Sequence, residues 1–361
     1  MKGFLNIGGG VMAAALALSA MPALSQSHDE LVEASKADET VLHIYSNMGP
    51  DNWAPIIEQF TALYPWLSVE TLDLGASEMF TRYGAETGTG ATTADFMVTG
   101  SPAGWLDFYN GGNILDYESP EAAELPDWSK PMPGLYTFST DPILLGYNKI
   151  TVPKELQTSS LAEFAENVGA HPEIFKGKIG SYDMTLPFGA DIAWAVARER
   201  PDQFWGWMDK IGPDLGGFSG SGGMIEKILS GENSAALFLS STTLFPKLGG
   251  PLDQILAWTY ITDGEPIFIR GMAIPKGAKN TNAAKLMMDF LLSHDGQVAV
   301  ADGGFTPYRA DVKPEEVPME TLGSVIEKVG GEDKLILINY DQNQVTGFDG
   351  FAEKMKQAYQ H

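Results

Sequence analysis

The residues that could do chemistry in this chain are small, polar and gathered at turns. Phe218-Ser219-Gly220-Ser221-Gly222-Gly223 stands directly before residues 224–230, whose apolar spacing predicts a helix. Glycine lets a ligand approach the backbone closely, and the first amides of a helix have no partner within it. The segment can therefore present several N–H donors to an anionic oxygen. A flexible linker has the same composition, and that reading stays open. Covalent chemistry fits poorly. A nucleophile elbow centred on Ser221 needs glycine at 219, which is serine, and no P-loop lysine follows the glycines. The five histidines, at 28, 43, 171, 294 and 361, show no ligand spacing and nominate no base. The absence of cysteine excludes thiolate zinc sites.

The elements that must position such a turn recur along the chain. Residues 41–45 form an apolar run suited to a buried parallel strand. Ser46-Asn47-Met48-Gly49-Pro50 then breaks it, and Asp51 can cap a helix carrying Trp53, Ile56, Ile57 and Phe60. Tyr45, Ser46 and Asn47 make a first candidate wall. Residues 68–74 alternate as a strand, Gly75-Ala76-Ser77 follows, and residues 78–87 read as a helix. Residues 95–98 form a third strand, closed by Thr99-Gly100-Ser101-Pro102 before a helix from Gly104. Strands at 179–184 and 234–239 end in the loop 185–190 and in Ser240-Ser241-Thr242-Thr243. Each turn alone reads equally well as a capped surface loop. Their repetition points to a site, because parallel strands place their C-terminal loops along one edge. Arg270 is the one fixed cation in the apolar run 266–275, either a ligand's counter-charge or half of a structural salt bridge.

The chain has 361 residues, about two domains by length, with 44% hydrophobic residues to fill its cores. A formal net charge of −24 argues against nucleic acid and anionic membranes as partners, without fixing the sign of a cleft. Lys2, the apolar residues 11–20 and Ala23-Leu24-Ser25 read as an export signal, so residues 1–25 are expected to be removed, leaving Gln26 first. The alternative, a retained anchor, has an apolar run shorter than the roughly 20 residues a span needs. Without a cysteine the product is not a lipoprotein. Residues 136–148 are extended and apolar, a strand crossing between domains. Helices are expected at 158–167, 190–198, 201–211 and 282–293, and extended segments at 256–261 and 267–274. Residues 315–361 look mostly helical, with 335–338 open.

In this order the segments resemble the extracellular solute-binding proteins (family 1) of bacterial ABC importers, in the branch that includes ferric-ion, phosphonate, hexose-phosphate and thiamine binders. The carriers are LHIYSNMGPDNWAPIIEQF, GASEMFTRYGAE, DFMVTGSP, DPILLGYNK and, most specific, FIRGMAIPKGAKNTNAAKLMMDFLLSHDGQ. The resemblance covers nearly all of the mature chain. It implies an α/β, type II periplasmic binding fold: two lobes, each a mixed, mostly parallel sheet flanked by helices, closing by a hinge on a ligand between them. Lobe one would comprise 36–138 and 259–315, lobe two 139–258, with 316–361 packing on either. The site would take Tyr45, Ser46, Asn47, Gly75, Ala76, Ser77 and Ser101 from lobe one. Lobe two would give Phe188 and Gly189 within 186–190, Ser219, Ser221 and Gly222 within 219–223, and Ser241 and Thr242 within 240–243. Ferric binders of the family usually carry adjacent tyrosines at the last of these, where this chain has Ser-Ser-Thr-Thr, which counts against a bare ferric ion.

The expected role is a periplasmic, monomeric solute-binding component with no catalytic step, no cofactor and no resident metal. Its partners would be a small anionic or polar organic solute (a carboxylate, phosphate ester or phosphonate) and an inner-membrane permease. Arg270 and Arg82 are possible counter-charges, though Arg82 lies inside its helix and can equally be solvated. Tyr45, Phe188, Tyr260 and Tyr308 could sandwich an apolar part, or serve the core. Two rivals stand beside this reading: a ferric or metal-anion carrier using carboxylates such as Glu78 or Asp183, and an exported serine hydrolase using Ser46 or Ser221.

Overall fold

A computed structural model describes residues 27–37 and 40–359. The expected export signal, residues 1–25, lies outside the described residues. Among the described residues no helix is long and apolar enough to cross a membrane.

Strands and helices alternate from the start: β1 (Val41–Ser46), helix Pro50–Leu63, β2 (Ser68–Asp73), helix Ala76–Thr89, β3 (Phe96–Thr99) and helix Pro102–Asn110. β1 pairs in parallel with β2 on one side and β3 on the other. β3, Phe-Met-Val-Thr, is buried throughout, so its sequence has no alternation, whereas edge strand β2 alternates. The chain then enters β4 (Leu135–Asn148), 14 residues that are all buried. β5 (Ile179–Tyr182), β6 (Leu215–Phe218), β7 (Ala235–Ser240) and β8 (Leu256–Thr259) follow, before β9 (Glu265–Ala273) and β10 (Leu335–Ile338).

One strand order, β2-β1-β3-β9-β4-β7-β5-β6, runs through the molecule, but β4 divides it into halves. Residues 135–142 of β4 pair antiparallel with β9. Residues 143–148 pair instead with β7 on one edge and β8 on the other. Two cores result. One gathers Trp53, Phe60, Phe96, Phe138 and Met287 beneath the first sheet. The other gathers Phe164, Phe175, Ile192, Phe204 and Leu237 around the second. The C-terminal helix Gln342–Ala358 places Phe351 and Met355 in that second core, where Phe351 meets the rings of Trp194 and Trp205.

Four differences from the sequence expectation have physical causes. β6, Leu-Gly-Gly-Phe, was not expected, because two exposed glycines carry no apolar signal; parallel pairing with β5 holds it. β10 settles the open stretch 335–338 as a strand parallel to β9. β4 changes partner between Pro142 and Ile143, inside the segment assigned entirely to lobe two. Helices Ala76–Thr89, Pro102–Asn110, Pro187–Glu199 and Ser221–Leu229 each begin two or three residues before the apolar periodicity does. Their first turns are made mostly of Ala, Ser, Pro and Gly, which read as turn residues and carry no apolar period.

Gly271 of β9 shows how tightly these parts converge. A Cβ there would stand 2.5 Å from both Trp105 Nε1 and the Tyr340 hydroxyl. Gly271→Ala should therefore overpack the junction and cost ~1–3 kcal/mol, read as a lowered Tm. The exposed helical Gly206 has nothing within 4 Å of its missing Cβ. Gly206→Ala should raise stability by about 0.5–1 kcal/mol in the same assay.

Candidate functional site

The loops leaving the C-terminal ends of β2, β3, β5 and β6 meet across one cleft of about 490 Å³. The first sheet contributes Gly75, Ala76, Ser77, Glu78, Gly100 and Ser101 to its lining. The second contributes Tyr182, Asp183 and Asp191, residues 186–189, Phe218 and Ser219. Each loop leads into a helix. At all four starts the residue before the helix (Gly75, Ser101, Leu186 and Gly220) makes no side-chain cap bond. Prolines 102 and 187 occupy first-turn positions where an N–H would have no partner anyway. The first turns of the Ala76 and Pro187 helices line the cleft and turn the positive ends of their dipoles towards it.

Local packing fixes this geometry. A Cβ on Gly189 would fall 2.3 Å from the Asp183 carbonyl oxygen, so the start of the Pro187 helix folds against the 183–185 turn only with glycine there. Asp183 Oδ1 holds that turn, accepting from the Thr185 N–H at 2.9 Å and its hydroxyl at 2.6 Å. Beneath the cleft, Phe188 stacks on Phe268 of β9 with centroids 4.7 Å apart and planes 8° apart. Tyr182 packs on the other side of Phe188, also at 4.7 Å. This aromatic column links the two halves and adds ~0.5–1.5 kcal/mol per contact beyond area burial.

Of the residues expected from sequence, Gly75, Ala76, Ser77, Ser101, Phe188, Gly189 and Ser219 line this cleft. The others are committed elsewhere. Ser46 is buried and accepts from Trp53 Nε1 at 2.8 Å. Tyr45 donates its hydroxyl to Glu86 at 2.8 Å, and Arg82 pairs with the same carboxylate. Asn47 Oδ1 accepts from Arg270 Nη1 at 2.6 Å. Arg270 itself is buried and donates Nε and Nη2 to Asp141 Oδ2, at 3.0 and 2.9 Å, with its guanidinium over Phe305. It is the structural ion pair, not a ligand's counter-charge. Ser221 is buried in the first turn of its helix, donating to the Tyr182 hydroxyl at 2.8 Å and accepting the Ser240 N–H at 2.9 Å. Gly222 follows it outside the cleft lining. Ser241 is buried, and Thr242 bonds the Ser240 hydroxyl at 2.9 Å. Tyr308 donates to the Thr137 carbonyl at 2.7 Å, and Tyr260 lies in the second core.

Sequence reasoning missed Tyr182, Asp191, Phe218 and Gly100. Tyr182 ends β5 and was legible as a strand end. Asp191 was hidden inside the helical pattern of residues 190–198. It is buried, and the Gln344 side-chain amide donates to its Oδ1. Burial pushes its carboxyl up to about 7, against a smaller downward pull from that bond. No lysine, arginine or histidine lines the cleft. Among the described residues no group of three or more histidines, aspartates and glutamates could hold a metal ion.

Two sheets sharing one crossing strand, with helix starts from both facing a common cleft, define the two-lobed type II periplasmic binding fold. The chain belongs to the bacterial extracellular solute-binding proteins, whose family model matches residues 56–322. Among solved structures it is similar to the substrate-binding protein of an ABC transporter from Agrobacterium tumefaciens. That match has 19% identity and a TM-score of 0.78, and covers 89% of this chain and 96% of the other. Iron-bound HitA from Pseudomonas aeruginosa matches at 14% identity and TM-score 0.67, over 89% and 99% of the two chains. A Trichodesmium protein in complex with iron and citrate matches at 17% and 0.67, over 89% and 100%. No individually curated protein matches it.

Asp191 gives this site a pH signature. The folded protein holds that proton more tightly than the unfolded chain does, so its contribution is full below about pH 4 and is lost as pH rises towards 7. Asp191→Asn keeps the Gln344 bond without the buried charge. The variant should match the native protein at about pH 4 and exceed it at about pH 8, by at most ~4 kcal/mol. Thermal melts of both proteins across that range check it.

Proposed function

We propose that this protein is the periplasmic binding component of an ABC importer, that it closes its lobes on a small polar organic solute bearing an anionic group, and that it passes the solute, as a monomer, to an inner-membrane permease. The observation that carries the reading is the convergence on one cleft of two helix starts, residues 76–78 from the first sheet and 187–189 from the second, with the turns 100–101 and 218–219 beside them. Amides arranged in this way hold a carboxylate or phosphate-type oxygen, and the aromatic column at the base can contact an apolar part. No step of turnover belongs to this reading. Ser46 and Ser221 both have their hydroxyl groups engaged inside the protein, and neither has a base among its partners.

Iron is bound in two of the similar solved proteins, so a ferric reading has a specific source. The side chains here support it less well. Tyr182 is the one phenol lining the cleft; it already accepts from Ser221, and burial raises its pKa, which opposes the phenolate that a ferric ion needs.

A thermal-shift screen of carboxylates, phosphonates, sugar phosphates, amines, ferric salts and ferric citrate tests both readings. A solute that binds only the folded protein raises its Tm by mass action, and X-ray scattering should show a smaller radius of gyration in its presence. Ser219 is exposed on the cleft lip. Ser219→Trp should fill the opening and abolish the shift while leaving the ligand-free Tm near its native value. Organic solutes without effect beside a large shift from ferric citrate would overturn the organic reading.

A further inference from the structure

Resting on that reading, we propose that the solute is amphoteric: it carries a protonated amine held by Asp191, with Asp183 and Glu78 nearby, as well as an anionic oxygen group held by the helix amides. Asp191 is 4% exposed yet lines the cleft. Its Oδ1 takes the Gln344 amide, and its Oδ2 has no partner in the protein. The side chain is otherwise enclosed and lines the cleft, so that oxygen is open to a donor arriving there. Glu78, which is exposed, and Asp183, which is half-buried, stand on the same lining. Glu78 uses Oε2 to accept the Gly75 N–H, and Asp183 uses Oδ1 on Thr185, which leaves one oxygen of each without a protein donor.

The charge balance of the cleft decides the class. Three carboxyls line it, and no cationic side chain does. Arg270 is neutralised by Asp141, and Arg82 by Glu86. A purely anionic solute would bring its charge among carboxylates with nothing to offset the repulsion. A purely cationic solute would satisfy the carboxylates but leave the first-turn amides of the Ala76 and Pro187 helices without an acceptor. A molecule with an ammonium group at one end and a carboxylate-type group at the other meets both demands.

Burial holds the Asp191 carboxyl near neutrality. An ammonium beside it favours the ionised form, so binding below about pH 7 should release a proton. The other titratable groups nearby are Asp183 and Glu78 in the cleft and Asp341, which pairs with Arg198 further along the same helix.

Calorimetric titration and thermal shift with matched triads test the proposal. Each triad is a short ω-amino carboxylate, the plain carboxylate and the plain amine of equal length, run at mildly alkaline pH beside the wider screen. Among all solutes, the amphoteric members should bind, and both truncated partners should bind at least about tenfold more weakly. Asp191→Asn should raise the Kd of the amphoteric solute about tenfold or more while making the free protein more stable. Glu78→Gln, at an exposed position that leaves the fold intact, should also weaken it. Binding of a plain carboxylate, phosphonate or sugar phosphate that is unchanged or tighter in Asp191→Asn overturns the amphoteric assignment and leaves solute binding standing. A plain amine binding as tightly as its amphoteric partner overturns it as well. If no solute of any class shifts the Tm or compacts the protein, both the assignment and the binding reading fall.

Discussion

Burial of β4 along its whole length leaves that strand no freedom to slide. Its first part is stitched to β9 and its second to β7 and β8, so each sheet holds one end of the same backbone. The change of partners falls next to Pro142, whose ring supplies no N–H to a ladder. The β4–β7 ladder is already bent there: residues 145 of β4 and 237–238 of β7 oppose each other out of register, and Phe238 sits at φ 62. A bulge of this kind turns a strand end. Here it aims the end of β7 back towards Ser221 and Tyr182.

The Arg270–Asp141 pair lies at the same junction, and its burial makes it costly to disturb. Removing water from both ions offsets much of their attraction, so such a pair contributes little net stability over an apolar equivalent. Its geometry is specific all the same. Asp141 on β4 also accepts the Ser139 hydroxyl at 2.8 Å, and Arg270 on β9 reaches across to Asn47 at the end of β1. The pair therefore ties the loop after β1 to the crossing strands. That removes this loop from the cleft and leaves the loops after β2 and β3 to form its wall.

This explains which parts of the site were legible in the sequence. A strand followed by a polar turn and a helix is visible in the residues, and every such turn was found, though the strand before one of them, β6, was not, because it contains two glycines. What the residues do not state is what each turn meets. The turns after β1 and β7 are as polar as those after β2 and β3. Folding brings them against Arg270, Trp53 and Tyr182, which engage the Ser46 hydroxyl, the Asn47 amide and, through Ser221, the Ser240 N–H, while the Ser241 hydroxyl is buried without a partner among the described residues. Asp191 fails in the opposite direction. Its position in an apolar-periodic helix gives no local sign of function; its meaning comes from Gln344, more than 150 residues later in the chain.

The chain's net charge is −24 and its cleft lining is acidic as well, but the helix starts make the cleft unlike the surface. Exposed carboxylates are solvated and their fields are screened within about 8–10 Å by salt. Asp191 is 4% exposed and lines the cleft, so a charge on it acts on what enters there. The amides of the helix starts cannot balance it through hydrogen bonds, because Asp191 lies in the second turn of the Pro187 helix, past the free N–H groups. The cleft thus keeps its donors and its acceptor on separate positions instead of letting them neutralise one another. That separation is what the proposed amphoteric solute, with an ammonium group at one end and an anionic group at the other, would use.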